Sequence, residues 1–597
     1  MGRGLGPRDA SAQRRGYRML DVALVHKPTD CGRSRALRHT EYSRNPHREA
    51  PLGCRGSTVR GCKRFSGWRG AVLRSRSQRE RQLRRRRVED DRMDTASRLA
   101  PGHLDEDPLA VRRPEMLFKS GSWIAALALM SACVATADTI IVPTQEPTIQ
   151  GAIDSAAGGD TVLVLPGVYP ELLNFLGKGI VVTGSAPFDS AIVAATVVDG
   201  EGMGRVVTFE SGEDSTSVLM GLTVTGGEGG VLCFESSPML IRCDIARNTS
   251  TNGAGVSVSG GSVTMIACRI LENTSVGAPW QNGAGIHVSA GSALVRQCLV
   301  SRNLFTSLTT LYRDGGGISA ANHSSLTIIE SVISHNGGAG EGGGIYVSGA
   351  QLDVRDSVIE YNAAGSGGGV GVRHNAPYQA TLERCVLRGN TAWIGGAISG
   401  LSPNSLALDH CLLIDNIADQ HGGAIYTEER ISSTIRNTII ARNTAQQGAG
   451  VWEYQLYQPE TIEYDQCVFA DNIASEDGGA LYTDVFEAPR TISNSIVWGN
   501  QPNHFAGAID LLTVRYSNIE QGWPGNGNIG LPPLFRTLGP FEYLLGPGSR
   551  SIDSGDPLVE DGLYDWHPRW PAWLPNGARS DMGAYGGPEN WLWLTGP

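Results

Sequence analysis

Four side chains of complementary chemistry stand at one repeated offset in this 597-residue chain: Glu330, Asp356, Arg384 and His410. Each lies six places before an asparagine that recurs along the sequence. If successive repeats stack about 4.8 Å apart, the four form an outward line of carboxylate, carboxylate, guanidinium and imidazole roughly 15 Å long. Two carboxylates one repeat apart can share a proton, an arginine can hold a uronate, and a histidine can move a proton. On this reading Glu330, Asp356 and His410 are the candidate catalytic groups, with Arg384, Glu360, Tyr361 and Tyr378 as candidate substrate-binding groups along a groove for a sugar chain. The same residues equally describe a solvated face with an Asp356 to Arg384 contact, which is worth little to stability.

A second set lies near the C-terminus. Asp553, Asp556 and Asp561, followed by Asp565 and Asp581, offer oxygen ligands of the kind Ca²⁺ takes, although not at the spacing of a helix-loop-helix calcium loop. Turns closed by aspartate side chains account for the same residues without a metal. Trp566, Trp570, Trp573, Trp591 and Trp593 could stack on sugar rings or close the end of the fold. No other cofactor is implied: the glycine clusters are not followed by a phosphate-loop lysine, and the cysteines form no C-x-x-C pair.

The elements that position these groups come from a repeat. Asparagines close ten hexapeptides of one type, at Asn248, Asn273, Asn303, Asn336, Asn362, Asn390, Asn416, Asn443, Asn472 and Asn500. The intervals run from 25 to 33 residues and average 28. Three and eight places before each asparagine the residue is apolar, and five places before it is Cys, Ser or Thr. Each of the first nine asparagines is followed by a glycine cluster and a short β-rich segment, as in GGGIYV from Gly342 and GGAIYT from Gly422. Segments of three to five residues punctuated by glycine are strands rather than helices. One cross-section repeated ten times predicts an all-β, single-stranded right-handed parallel β-helix in which like residues stack and the apolar columns fill the core. The asparagines form a structural ladder at an inward bend, bonding the backbone of their own or the next coil. Cysteines from Cys233 onward are expected as buried thiols, with one or two disulfides as the alternative.

Composition bounds the partners. Residues 1–115 carry 28 Lys+Arg against 14 Asp+Glu, whereas the chain from Met116 carries 22 against 46. The segment from Met116 has one lysine, an apolar run from Trp123 to Ala132 and Ala135-Thr136-Ala137, the three regions of a secretory signal peptide. The domain reading is therefore 1–115 basic and either disordered or untranslated, 116–137 signal peptide, 138–520 β-helix and 521–597 irregular C-terminal cap. Acylation at Cys133 is a minor alternative to cleavage after Ala137. So acidic a body argues against nucleic acid, and no segment beyond the leader is long and apolar enough to be a transmembrane helix. A short helix from Ile149 is expected to cover the first coil of a monomer.

The segment TIQGAIDSAAGGDTVLVLPGVY at 148–169 and the coils after it resemble secreted right-handed β-helix proteins of the pectate-lyase-like superfamily. The GGA[IL] tetrads at Gly395, Gly422 and Gly478, with Phe469-Ala470-Asp471-Asn472, resemble the repeats of bacterial polymorphic outer-membrane proteins. The resemblance implies an exported fold and no particular activity, since no catalytic set of the superfamily maps onto these residues. Two functional classes follow: a secreted or cell-surface protein that presents a lateral face to polysaccharide or surface glycans without catalysis, or a polysaccharide lyase or glycoside hydrolase acting on an acidic polysaccharide.

If the leader is read correctly, N-terminal sequencing of protein recovered outside the cytoplasm will begin at or near Asp138. A mature species that keeps the arginine run at 81–87 would refute it.

Overall fold

The computed structural model describes residues 137–594 except 278–279, 307–311, 374–377, 402–404, 429–431, 456–461, 486–488 and 564–576. Residues 1–136, which hold Cys133 and all but the last residue of the signal-like segment, lie outside the described residues, as do Asp565, Trp566, Trp570 and Trp573.

The described chain winds as a coil whose ladders are parallel. A broad sheet of 26 strands takes two strands from most turns, a narrow sheet of 14 takes one, and an eight-stranded corner sheet takes a third segment. One turn shows the order: Val358–Glu360 in the narrow sheet, Ala363–Ser366 in the corner sheet, then Val370–Arg373 and Gln379–Glu383 in the broad sheet. Register follows the sequence columns, with Ile359 opposite Leu387 and Leu382 opposite Leu408. Both apolar columns are almost wholly excluded from solvent along all ten repeats. Each such side chain contributes about 1.5–3 kcal/mol by leaving water, so the stacked interior carries the fold.

The column five places before the asparagine is a donor position. Ser331 Oγ donates to Ile329 O at 2.8 Å and Val295 O at 3.2 Å, and Cys411 Sγ to Asp409 O at 3.4 Å and Leu382 O at 3.3 Å. Small size and one donor are what Cys, Ser and Thr share, which explains why they interchange there. All seven cysteines of this region are free and buried.

Asparagine is required for a different reason. Asn390 Nδ2 donates to Ile359 O at 2.9 Å and to Asn416 Oδ1 at 3.0 Å, while its own Oδ1 accepts from the Asn362 backbone N–H at 3.0 Å and Nδ2 at 3.1 Å. The pattern passes from Asn248 to Asn500 with every member buried. Only a primary amide supplies two donors and an acceptor in so small a side chain.

Three bends per repeat use positive φ, under two sets of rules. The positions six places and one place before each asparagine are left-handed in every repeat, and they carry Arg, Glu, Asp, Asn, His, Gln, Tyr or Ala, with glycine only at Gly389 and Gly499. The third bend opens the glycine cluster and is glycine in all nine repeats that have it, from Gly253 to Gly478. Its φ is no more extreme: Gly342 has φ 63° and Arg384 φ 52°. Crowding decides the difference, because a Cβ on Gly342 would stand 2.3 Å from Ile345 O and 2.6 Å from Tyr346 Cβ. The third bend is therefore an inside corner, where two sheets fold toward each other, whereas the other two are outside corners with room for any side chain.

Both ends are covered. Helix Ile149–Ser155 begins at Thr148, whose Oγ1 accepts the Gly151 N–H at 3.0 Å, and it buries Ile149, Ala152 and Ile153 against the first turns. At the other end Trp523 lies edge-on to Phe505 at 4.9 Å between ring centres. The C-terminal segment was expected to cap the end as a whole, and here the structure corrects the sequence reading. Beyond residue 531 the tail runs along the flank, where Phe541, Tyr543, Leu545, Met582 and Tyr585 cover Ile414, Ile439, Val468 and Ile496 on the outer face of the narrow sheet.

Asn390→Ala would strand Ile359 O and both Asn362 donors in the interior, so denaturant unfolding should show a loss of about 2–4 kcal/mol. A change within error would mean that the ladder is not what joins these coils.

Candidate functional site

The inside corner brings two columns of side chains face to face. One is the residue just before each corner glycine: Asn282, Asp314, Glu341, Ser366, Ile394, His421, Gln447 and Asp477, paired in register from coil to coil. The other is the outward residue of the next broad-sheet strand: His287, Ser319, Tyr346, Gly371, Ser399, Tyr426, Trp452 and Tyr482, also in register. The two columns touch, as where Ser366 Oγ meets Ser399 Oγ at 2.7 Å.

Toward the C-terminal end the corner is aromatic. Tyr426 and Trp452 stack at 4.8 Å with planes 2° apart, Tyr482 follows Trp452 at 6.2 Å, and His421 lies over Trp452 at 4.8 Å. These rings seal each other's faces, so only their edges reach the surface. The indole Nε1 of Trp452 and Nδ1 of His421 are buried without a hydrogen-bond partner. Burial also lowers the His421 pKa, favouring the neutral ring.

Three coils earlier the corner is charged. Asp314 and Glu341 are register partners on adjacent strands. Arg373 forms an ion pair with Glu341, and the Tyr346 hydroxyl bonds the same carboxylate. Burial, and next the Glu341 charge, push the Asp314 carboxyl up to about 7 against the opposing pull of Arg373. Burial raises Glu341 as well, with Arg373 and Tyr346 resisting. Tyr346 is raised by burial and by both carboxylates. Further along, His287 Nδ1 meets Ser319 Oγ at 2.7 Å, and burial, aided by Arg205, depresses its pKa to about 4.

The line expected six places before the asparagines is divided differently. Asp356 and Arg384 do meet, with Nε to Oδ1 at 2.6 Å and Nη2 to Oδ2 at 2.9 Å, and Glu383 also holds the guanidinium. Those two carboxylates raise the Arg384 pKa further and leave it engaged rather than free for a uronate. Glu330 turns to Gln297 Nε2 at 2.7 Å and Arg296 Nε at 3.7 Å. His410, expected outward, is 2% exposed, with Nδ1 on Asp409 Oδ1 at 2.8 Å and Nε2 on Glu589 O at 2.9 Å under Trp593. The tail covers it because from His410 onward this column is the tail's docking strip: Asn437 donates to Gly586 O at 2.8 Å, and Asn494 Oδ1 accepts from Asp556 N at 2.7 Å.

The remaining candidates lie at other bends. Glu360 pairs with Arg388 Nε at 2.7 Å, Tyr361 packs 5.3 Å from the His335 ring on the far side of the narrow sheet, and the Tyr378 hydroxyl meets His323 Nδ1. They do not join Asp356 and Arg384 in one groove. The tail aspartates do not fit a calcium ion. Asp553 Oδ1 accepts from Gly577 N at 2.8 Å, Asp556 Oδ1 from Leu558 N at 3.0 Å, and Asp561 Oδ1 from Gly587 N at 2.6 Å. Their oxygens close turns, and among the described residues no three acidic, histidine or cysteine side chains converge to hold a metal.

Column counting from the asparagines missed the corner because the spacer to the corner glycine varies. It is ten residues from Asn273 to Gly283, twelve from Asn303 to Gly315 and five from Asn362 to Gly367. Counting back from the glycines would have aligned Asp314 with Glu341.

Comparison with known proteins agrees with the coil. A family model described as right handed beta helix region matches residues 221–406 and 316–513. Over 216 residues the chain is 26% identical to the probable autotransporter YfaL of Escherichia coli (strain K12), an alignment covering 34% of this chain and 15% of that protein. Among solved structures, pectate lyase Pel9A is similar over 72% of this chain and 89% of its own, at 11% identity and a TM-score of 0.28. A mannuronic acid specific family 6 polysaccharide lyase from human gut microbiota matches over 62% and 88%, at 11% identity and a TM-score of 0.30. Among the described residues no helix is long and apolar enough to cross a membrane.

The charged corner carries a pH signature. Asp314 holds a proton in the folded state up to about pH 7 that the unfolded chain releases near 3.8, so its contribution to stability falls as pH rises between those values. Asp314→Asn removes that loss: relative to wild type it should gain stability from pH 4 to pH 8, by up to about 4 kcal/mol, in thermal or urea unfolding. Parallel pH profiles would show that Asp314 is not the strained group.

Proposed function

This chain is a right-handed β-helix protein, and from that premise we propose that it is exported to the cell surface or medium and binds glycans lengthwise in its inside corner. The observation that carries the reading is the pair of facing columns, in which polar and aromatic side chains recur once per coil. A polysaccharide is also a one-dimensional repeat, and a linear site of repeated hydroxyl, carboxyl and ring-edge contacts suits it better than a compact ligand. Tyr346, Tyr426 and Trp452, each less than a tenth exposed, and the half-buried Tyr482 present their outer edges at intervals of about 4.8 Å or its multiples. Arg373, which is half exposed, adds a cation for an acidic sugar.

Export is supported by the leader-like sequence and by the similarity to a probable autotransporter of Escherichia coli. From Asp138 on, the chain carries 21 basic and 46 acidic side chains, which disfavours nucleic acid as the partner.

A glycan array probed with residues 138–597 tests the reading. Binding should weaken about tenfold or more in Tyr346→Ala and Tyr426→Ala, each losing a contact worth roughly 1.5 kcal/mol or more. Arg384→Ala, which breaks an ion pair outside the corner, should leave binding within about threefold. Binding that survives both tyrosine variants but is lost with Arg384 would move the site to the narrow-sheet column.

A further inference from the structure

The charged end of the corner holds a partly exposed carboxyl group to which no described residue donates a hydrogen bond. Among the described residues the Asp314 side chain takes no hydrogen bond, although it is half-buried and stands beside a second carboxylate. Compare the other close pair, Asp561 and Asp581. There Asp561 Oδ1 accepts from Gly587 N at 2.6 Å, and Asp581 Oδ1 from Asp553 N at 2.8 Å, so both carboxylates are spent on turns of the tail. Glu341 is held as well, by Arg373 on one side and the Tyr346 hydroxyl on the other. The result is one oriented carboxylate and one free carboxyl on neighbouring strands, about 4.8 Å apart at the backbone. A fold that wanted only stability would have placed an amide or a serine at residue 314, as it does at Asn282 and Ser366 in the same column.

We propose that Asp314 and Glu341 cleave a glycosidic bond of the glycan bound in this corner, with Asp314 as general acid and Glu341 as nucleophile. This inference rests on the binding reading above and adds a reaction to it. Asp314 gives its proton to the glycosidic oxygen as the C1–O bond breaks, and a Glu341 oxygen bonds to C1, forming a glycosyl ester. Water then attacks C1, its proton passes to the Asp314 carboxylate, and the ester bond to Glu341 breaks. Atoms balance with water as the co-reactant, and the sugar leaves with its anomeric configuration retained. Carboxyl groups on adjacent strands, with backbones about 4.8 Å apart, stand nearer to the short separation of double displacement, about 5–5.5 Å, than to the 6.5–9.5 Å of inversion. Arg373 and Tyr346 are positioning residues: they keep Glu341 charged and pointed while Asp314 stays neutral. The raised pKa of Asp314 agrees with its part as the acid: among the described residues Glu341, Arg373 and Tyr346 are the titratable groups that face it, and an acid near neutrality is the more useful proton donor.

The test uses residues 138–597 with polygalacturonate, alginate, hyaluronan and xylan as probes, measuring binding and new reducing ends in parallel. Expected are reducing ends from a polysaccharide that binds, products of retained anomeric configuration by proton NMR, and a fall of about 10²–10⁴-fold in turnover for Asp314→Asn and Glu341→Gln with binding held within threefold. Asp314→Asn should fold at least as well as wild type at neutral pH, so its loss of turnover cannot be laid to unfolding. Arg373→Lys, which keeps the charge, should retain more activity than Arg373→Ala and shift the acid limb of the pH profile less. Binding without new reducing ends between pH 4 and 8 overturns this inference and leaves the binding reading standing. Inverted products or unsaturated uronides overturn the assignment of Glu341. Failure of the wild type to hold any of the four polysaccharides overturns both readings.

Discussion

No turn of this coil satisfies its own backbone. In strands that run around an axis, N–H and C=O groups point up and down it, so each turn bonds only to its neighbours, as Val386 N does to Ser357 O at 3.0 Å and Leu412 N to Cys385 O at 2.9 Å. Every other regularity follows from this. A slip of one residue between turns would move a whole apolar column from the interior to water, so like must lie over like. Added residues are accommodated only between strands, which is where the interval between asparagines stretches from 25 to 33 residues. The asparagine ladder continues the backbone ladder through a bend that strands cannot span.

The three left-handed bends then divide the labour. At the two outside bends the backbone strain is of the order of 1 kcal/mol for each non-glycine residue and is offset by stacking, so the side chain there is free to vary and faces outward. At the inside bend there is no room for a Cβ, yet the residues on either side of the glycine are turned toward each other. A concave line thus arises from the one bend that carries no side chain. That geometry is why Asp314 and Glu341 meet Tyr346 and Arg373, and why His421 lies over Trp452.

Much of the fold was legible because identity at a fixed offset is what stacking demands. The asparagines, the two apolar columns and the Cys/Ser/Thr column all sit at constant distances from each other across an outside bend, and all fell where the sequence placed them. The contact of Asp356 with Arg384 was legible for the same reason. What did not repeat was not legible. His410 is buried by Glu589 and Trp593, residues some 180 positions away in a tail with no period of its own. The corner columns do repeat, but spacers of five to twelve residues separate them from the asparagines, and a count that starts at the wrong landmark loses them.

The tail has one more consequence. A stack of coils coupled only to nearest neighbours behaves as a linear array, which can fray inward from an end one turn at a time. Here a single segment grips His410, Asn437, Gln466 and Asn494, one residue from each of four successive turns. Those turns cannot separate singly without releasing a clasp that all four share. The final third of the array is thereby turned from a zipper into a block, with its own melting unit and a sharp boundary near residue 410 between the part that frays by increments and the part that opens all at once.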